Sequence, residues 1–168
     1  IFGGLQLNRC DLAPFATIDA ILEKVRACDR ALPEGQWLLG GGWNLSLFPE
    51  ANADKSLLDG IAAERPVFLV GADGHSAWVN SRALAAAGVT ADTPDPVNGI
   101  IERDAKGEPS GTLREAAQNL IEAVLPPTSL EERLAGAVAG LAVANGFGVT
   151  SIVDASVDAD GLATWRTL

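Results

Sequence analysis

The chain has 168 residues, 48% of them apolar and 20% charged, and this composition excludes a disordered or fibrous protein. It carries 12 basic and 22 acidic residues, a formal net charge of −10 that would repel a phosphate backbone and argues against DNA or RNA as a partner. The two cysteines, Cys10 and Cys28, are too few for a disulfide framework or a cysteine-rich zinc site, so we expect reduced thiols in a cytoplasmic protein.

The first half of the chain predicts helices that alternate with short, buried strands. Capping residues and apolar residues at helical spacing predict a helix after Thr17 that ends before Pro33, one or two turns within 54–63, and an alanine-rich helix that begins at Asn80 or Ser81 and stops at Gly88. Apolar runs predict strands at 37–39, leading into the glycines at 40–42, and at 66–70. This alternation is typical of an α/β protein.

The second half predicts a hairpin, two helices and a final strand. Residues 100–103 and 111–113 flank a turn at 104–107, and apolar residues at helical spacing predict a helix over 115–125. Ser129 and Glu132 have the spacing of a capping box, which opens a second helix. The run 148–153 predicts a strand with Asp154 at its carboxyl end.

A charge-free run from Leu134 to Val153 is long enough to raise the question of a membrane span, and Gly136 and Gly140 form a G-x-x-x-G pair. The stretch 145–148, Asn-Gly-Phe-Gly, ends a helix inside that run. We therefore predict no membrane partner, but a buried helix followed by a strand, with small residues that let the helix pack close to a sheet. No signal peptide is recognisable at the start of the sequence.

Several polar residues lie where strands are predicted to end, the position at which α/β proteins carry functional loops. Asp73 and His75 follow the strand at 66–70, although a lone histidine is more often structural than catalytic. Glu115 lies at a predicted helix start and Asp154 at a strand end, where each can also be a capping residue. The glycines before Trp43 can cradle an anion through backbone N–H groups, but a tight strand exit is the favoured interpretation.

Taken in order, a series of motifs resembles the YtcJ-like metal-dependent amidohydrolases, a group that includes relatives of N-substituted formamide deformylase. The motifs span nearly the whole chain: Gly40 to Trp43, Arg65 to Leu69, Asp73 to Ser81, Ala83 to Val89, Asp92 to Pro96, Gly99 to Asp104, Gly107 to Leu113, and Gly148 to Asp154.

The resemblance implies a (β/α)8 metal hydrolase in which a divalent metal, zinc in the leading hypothesis, activates water to attack C–N bonds of small amides. A complete barrel needs about 250 residues, and the chain has no Met and only one His. We therefore expect an incomplete portion of the barrel, inactive alone and without the principal histidine ligands. The expected single partial domain comprises a first barrel crossover (1–45), an inserted α+β substrate-covering subdomain (46–126), and a helix with the second barrel strand (127–168).

The resemblance also implies roles for individual residues. No catalytic residue is assigned. Five residues are expected to contact substrate: Asp73, His75, Trp78, Asn80 and Trp43. Glu115 and Asp154 are candidate metal ligands in the whole protein. Two alternatives stay open: a non-catalytic α/β module that binds a small ligand or forms a homo-oligomer through barrel surface left uncovered, and a second chain that supplies the missing strands.

Overall fold

The structure, a computed structural model, describes residues 1–155 and 157–168. Its α-helices are, in chain order, α1 (Phe2–Asn8), α2 (Ile18–Ala31), α3 (Lys55–Asp59), α4 (Ser81–Ala86), α5 (Asn119–Glu122), α6 (Leu130–Gly146) and α7 (Ala159–Thr167). Its strands are β1 (Cys10–Asp11), β2 (Leu38–Trp43), β3 (Val67–Gly71), β4 (Ser76–Val79), β5 (Gly99–Arg103) and β6 (Pro109–Glu115). The fold is mixed α/β, as the alternation of segments predicts.

The chain divides into two compact units. The smaller unit combines Ile1–Asp11 with Pro127–Leu168, and the larger unit is Leu12–Pro126. The predicted regions 1–45, 46–126 and 127–168 refer to a barrel in a longer protein, and that assignment stays a prediction.

The sheet of the larger unit brings one set of strand ends together. Its strands lie in the order β2-β3-β4-β6-β5. Strands β2 and β3 are parallel, with Leu38 opposite Val67, and the remaining neighbours are antiparallel. It follows that β2, β3 and β6 end, and β4 and β5 begin, at one end of the sheet, which we call the His75 end because the β3–β4 loop carries His75.

Both faces of this sheet are covered by apolar residues because side chains alternate along each strand. On one face lies a buried cluster to which β3, β4 and β6 contribute Phe68, Ala77, Val79 and Leu113, and α4 contributes Ala83 and Leu84. On the other face Trp43, Phe48 and Trp78 meet edge to face, with ring centroids 5.4, 5.8 and 5.1 Å apart. Such pairs add to the stabilisation from burial alone.

Local sequence signals predicted most elements of the larger unit correctly. Thr17 caps α2, since its Oγ1 accepts a hydrogen bond from the backbone N–H of Ala20. The hairpin forms as predicted, with the N–H of Gly107 donated to the carbonyl of Asp104 across the turn. Strand β2 is longer than predicted and includes the three glycines. A side chain at Gly41 would collide with the backbone of Val70 on β3, so glycine is required for this pairing.

Four predictions require correction. Residues 148–153 form no strand, and Ile152 and Val153 are exposed; an apolar run becomes a strand only where another strand pairs with its backbone. Helix α6 packs on helix α1, which the sequence analysis did not predict, rather than on a sheet. The helix predicted over 115–125 is shorter and irregular: Glu115 ends β6 and precedes a 3-10 turn at Ala116–Gln118 as its N-cap, and α5 then begins at Asn119 and ends at Glu122. Finally, neither Cys10 nor Cys28 is a free thiol, contrary to the expected reduced state.

In the described parts of the chain, no helix is both long and apolar enough to cross a membrane.

The capping box of α6 makes stability depend on pH. Ser129 donates its backbone N–H and its hydroxyl to Oε2 of Glu132, at 2.7 and 2.8 Å, and these hydrogen bonds, the backbone one first, hold the pKa of Glu132 below its usual 4.5. Because the pKa of Glu132 is lower in the folded state than in the unfolded state, its ionised carboxylate stabilises the fold above about pH 4.5. This stabilisation is lost as the pH falls through the folded-state pKa.

We therefore expect Glu132→Gln to lower the free energy of unfolding by about 0.5 to 1 kcal/mol at pH 7. The difference from the parent chain should shrink below pH 4.5. Urea unfolding of both chains between pH 3 and 7 measures it. A difference independent of pH would contradict the role of the ionised carboxylate.

Candidate functional site

Five polar side chains converge at the His75 end of the sheet. Asp73 and His75 lie in the β3–β4 loop, Ser76 begins β4, and Arg114 and Glu115 end β6. Antiparallel pairing of β4 with β6 places Ser76 directly opposite Arg114. This register therefore brings the loop next to a segment that lies about 40 residues further along the chain.

His75 and Glu115 form the exposed part of this site. Nδ1 of His75 is 3.0 Å from Oε2 of Glu115, and the two side chains are 69% and 60% exposed. The backbone N–H of Glu115 is also donated to the carbonyl oxygen of His75, at 2.8 Å. Because an ionised carboxylate only accepts hydrogen bonds, Nδ1 carries the proton of this contact, and Nε2 is the ring nitrogen that remains for a ligand.

Asp73 holds the loop in a folded-back conformation. Its Oδ1 accepts the backbone N–H of His75 at 3.2 Å, and its Oδ2 accepts the hydroxyl of Ser76 at 2.9 Å. A Cβ on Gly71 would lie 2.5 Å from Oδ1 of Asp73. Glycine at the end of β3 is therefore what gives the aspartate room to turn back.

The same end of the sheet concentrates backbone strain. Within the described residues, positive φ at non-glycine positions occurs at Glu50, Ala51, Asn98 and Glu115. Arg114 donates to the carbonyl of Ala51 at 2.8 Å, and the carbonyl of Asn98 accepts the N–H of Ala116, so each of these segments is bonded to the end of β6 or to the residue after it. Such strain costs about 1–3 kcal/mol per residue and is typical of binding and catalytic sites.

Three of the predicted substrate contacts are fully buried instead of facing this site. The indole N–H groups of Trp43 and Trp78 are donated to the carbonyls of Leu69 and Asp54. Asn80 makes four hydrogen bonds: Oδ1 accepts the N–H groups of Val67 and Ala83, and Nδ2 is donated to the carbonyls of Ala62 and Arg65. These contacts give the three side chains a structural role, and substrate contact by them stays a prediction.

Asp154 lies in the smaller unit, whereas Glu115 lies in the larger one. Oδ2 of Asp154 accepts the indole N–H of Trp165 at 3.1 Å. Asp154 also lines a cavity of about 240 Å³ together with Arg133, Asp158 and Asp160.

A catalytic zinc usually needs three protein ligands, and the described residues contain no group of three or more His, Cys, Asp or Glu side chains placed to hold a metal ion. The residues in this structure thus do not by themselves fit a metal centre. The metal roles of Glu115 and Asp154 stay predictions.

Ser76 and Arg114 were not among the residues predicted to form the site. Arg114 follows the predicted strand segment 111–113 and has an 18% exposed side chain, and it is paired with Glu102 at 3.1 Å. A charged residue directly after a predicted strand is the sequence signal that could have drawn attention to it, because an arginine is rarely buried without partners.

Glu115 offers a direct test of the strain at this site. Its φ of 48° and ψ of −127° lie in a region that favours glycine. We expect Glu115→Gly to be more stable than Glu115→Ala by about 1 kcal/mol or more, since both variants lose the exposed carboxylate but only glycine relieves the backbone. Urea denaturation of the two variants measures the difference. Equal stability would show that this conformation carries no strain.

The comparisons with known proteins give one consistent answer. A family model described as the amidohydrolase family matches residues 1–168. The protein YtcJ of Bacillus subtilis is 41% identical over 139 residues, which are 80% of this chain and 26% of that protein. N-substituted formamide deformylase of Arthrobacter pascens is 42% identical over 113 residues, 67% of this chain and 21% of that enzyme.

A crystal structure described as an uncharacterized metal-dependent hydrolase from Pyrococcus horikoshii has a TM-score of 0.63 and 19% identity, and its match covers 98% of this chain and 30% of that one. This likeness concerns the fold. The chain spans about a quarter of the length of the known relatives it matches. With the family model matched from the first residue to the last, the chain belongs to the amidohydrolase family.

Proposed function

We propose that this chain is part of a longer, metal-dependent amidohydrolase that uses a metal-activated water to hydrolyse C–N bonds of small amides. The observation that carries the proposal is the family match over residues 1–168. A relative named N-substituted formamide deformylase supports the C–N substrate, and a neighbour described as a metal-dependent hydrolase supports the metal. In this proposal the whole protein is a cytoplasmic (β/α)8 barrel, zinc is its metal, and residues 46–126 form an insertion that covers the substrate.

Within that enzyme, the residues at the His75 end contribute to substrate binding. Nε2 of His75 accepts a hydrogen bond from a polar N–H of the substrate, and Glu115 fixes the ring through Nδ1. Asp73 shapes the loop through its contacts with His75 and Ser76. The principal metal ligands come from the rest of the longer protein, and Glu115 and Asp154 remain additional candidates.

A second candidate function, a non-catalytic module that binds a small ligand or self-associates, is favoured by one observation. The smaller unit exposes several large apolar side chains, among them Val138, Phe147 and Val153, the last two 83% and 94% exposed. Contiguous exposed apolar patches mark interaction surfaces, and these side chains are the candidates for one. A homo-oligomer of the 168-residue chain in solution, seen by light scattering, is what this alternative expects.

Elemental analysis of the purified chain, together with its intact mass near 17.4 kDa, tests the assignment of the metal ligands. We expect well under one-tenth equivalent of zinc and no hydrolysis of an N-substituted formamide by the chain alone. One equivalent of tightly bound metal would contradict the proposal that the principal ligands lie in the rest of the protein.

Release of formate from an N-substituted formamide by the whole protein tests the activity. We expect turnover that is lost on treatment with a chelator and restored by a divalent metal. His75→Ala should lower kcat/KM by about tenfold or more, through loss of a substrate hydrogen bond. The exposed Glu64→Gln, in the same unit, is the matched control and should leave the rate unchanged. Undiminished turnover in the presence of the chelator would contradict metal dependence.

A further inference from the structure

We propose that Arg114 is a positioning residue that holds His75 against Glu115 through Ser76 and Asp73. The inference rests on the proposed function of the His75 end, since it concerns how that site is held in shape. It assigns a role to a side chain that does not itself reach the exposed surface of the site.

The contacts form a continuous path. Nη1 of Arg114 donates a hydrogen bond to Oγ of Ser76 at 2.9 Å, and the Ser76 hydroxyl in turn donates one to Oδ2 of Asp73 at 2.9 Å. The other oxygen of Asp73 accepts the backbone N–H of His75 at 3.2 Å. With its hydroxyl hydrogen committed to Asp73, Ser76 has a lone pair for the guanidinium, so the direction of each hydrogen bond in the path is determined.

This path of hydrogen bonds is buried at the Arg114 end and exposed to solvent at the His75 end. Ser76 is 1% exposed, and the side chain of Arg114 is 18% exposed, whereas His75 is at the surface. An arginine in such a setting keeps its geometry when several partners share its guanidinium. The partners besides Ser76 are the carboxylate of Glu102, the carbonyl of Ala51 and Oδ1 of Asn52.

These partners also connect the strained segments of the site. Arg114 bonds the carbonyl of Ala51, a residue with a φ of 58°, and directly precedes Glu115, whose φ is 48°. Strained conformations persist only where the surrounding structure over-determines them. Arg114 bonds the first segment through its guanidinium and continues into the second through the backbone, and it thereby sets where the carboxylate of Glu115 meets the imidazole.

The outcome of this positioning is a defined tautomer of His75. Contact with the Glu115 carboxylate requires the proton on Nδ1 and leaves the lone pair of the neutral ring on Nε2. Without the contact, a neutral imidazole in water prefers the proton on Nε2. The path from Arg114 therefore determines which ring nitrogen can accept a hydrogen bond from a ligand.

The ring 15N chemical shifts of His75 test the proposal directly. The chain has one histidine, so its ring signals need no further assignment. At a pH where the ring is neutral, we expect the parent chain to show the Nδ1–H tautomer and Arg114→Gln to lose that signature. The exposed Arg82→Gln, which removes an ion pair with Glu64 in the same unit, is the matched control and should retain it.

Ser76→Ala keeps the test decisive if Arg114→Gln does not fold, because it removes only the hydroxyl that joins Arg114 to Asp73. We expect this variant to lose the Nδ1–H signature while its circular dichroism stays that of the parent. Retention of the signature in a folded Arg114→Gln or Ser76→Ala chain would overturn the proposal, as would its absence from the parent. None of these readouts depends on turnover, so a failure here is distinct from a failure of the proposed hydrolase activity.

Discussion

Asn80→Asp is expected to lower the free energy of unfolding of the larger unit by about 3–5 kcal/mol. The side chain is fully buried, and its amide N–H groups are donated to the carbonyls of Ala62 and Arg65 at 3.0 and 2.9 Å. Aspartate has almost the same shape but cannot donate, so it would place a carboxylate against two carbonyl oxygens. The introduced carboxyl could lose its charge by binding a proton, but this requires that burial raise its pKa above neutral pH. A raised pKa in the folded state itself costs stability at neutral pH.

Asn44→Asp is the matched control for this change. Asn44 is exposed, and only its Oδ1 is used, to accept the N–H of Ser46 at 2.9 Å. Aspartate makes the same contact, so we expect a change of less than about 0.5 kcal/mol. Guanidinium unfolding followed by tryptophan fluorescence measures both variants, since Trp43 and Trp78 are buried in the same unit. A small effect of Asn80→Asp would contradict the structural role of the four hydrogen bonds.

Elements whose signals are local could be predicted from the sequence. The caps at Thr17 and Ser129 act within one helical turn, and both helices begin where these residues predict. The turn of the β5–β6 hairpin is likewise formed by neighbouring residues. In such cases the residues that make the decisive contact are only a few positions apart, and their order in the chain is sufficient.

Strands depend on partners that the local sequence does not reveal. The short segment 76–79 becomes β4 because β3 and β6 pair with it on both sides, and the sequence analysis did not predict it. The apolar run 148–153 was predicted as a strand and is none. Both runs are apolar and short, so the difference lies in the pairing, which is a property of the fold.

The candidate site divides in the same way. His75, Asp73 and Glu115 could be recognised as chemically capable residues, but their meeting depends on the register that sets Ser76 opposite Arg114. Trp78 and Asn80 belong to the same sequence motif as His75, yet they lie beyond the point where the chain enters the sheet and are fully buried. The motif alone did not distinguish an exposed side chain such as that of His75 from the buried side chains of Trp78 and Asn80.

Gly4→Ala is expected to destabilise the smaller unit by about 3 kcal/mol, the upper end of the usual cost of overpacking. Gly4 lies in α1 where that helix crosses α6, and a Cβ at this position would collide with the backbone of Gly136 and lie 2.8 Å from the backbone nitrogen of Gly140. Backbone atoms cannot rotate away as a side chain does, so the two helices would have to separate. The G-x-x-x-G pair of α6 therefore serves close helix packing, which membrane and soluble helices share.

Gly3→Ala supplies the matched control, because the two glycines are adjacent in the same helix. A Cβ at Gly3 meets nothing within 4 Å, and the gain in helix propensity should raise stability by up to about 1 kcal/mol. The two variants make the same chemical change and are expected to shift the free energy of unfolding in opposite directions. Urea denaturation followed by far-UV circular dichroism measures the sign. If both changes stabilised the chain, the close contact between α1 and α6 would be refuted.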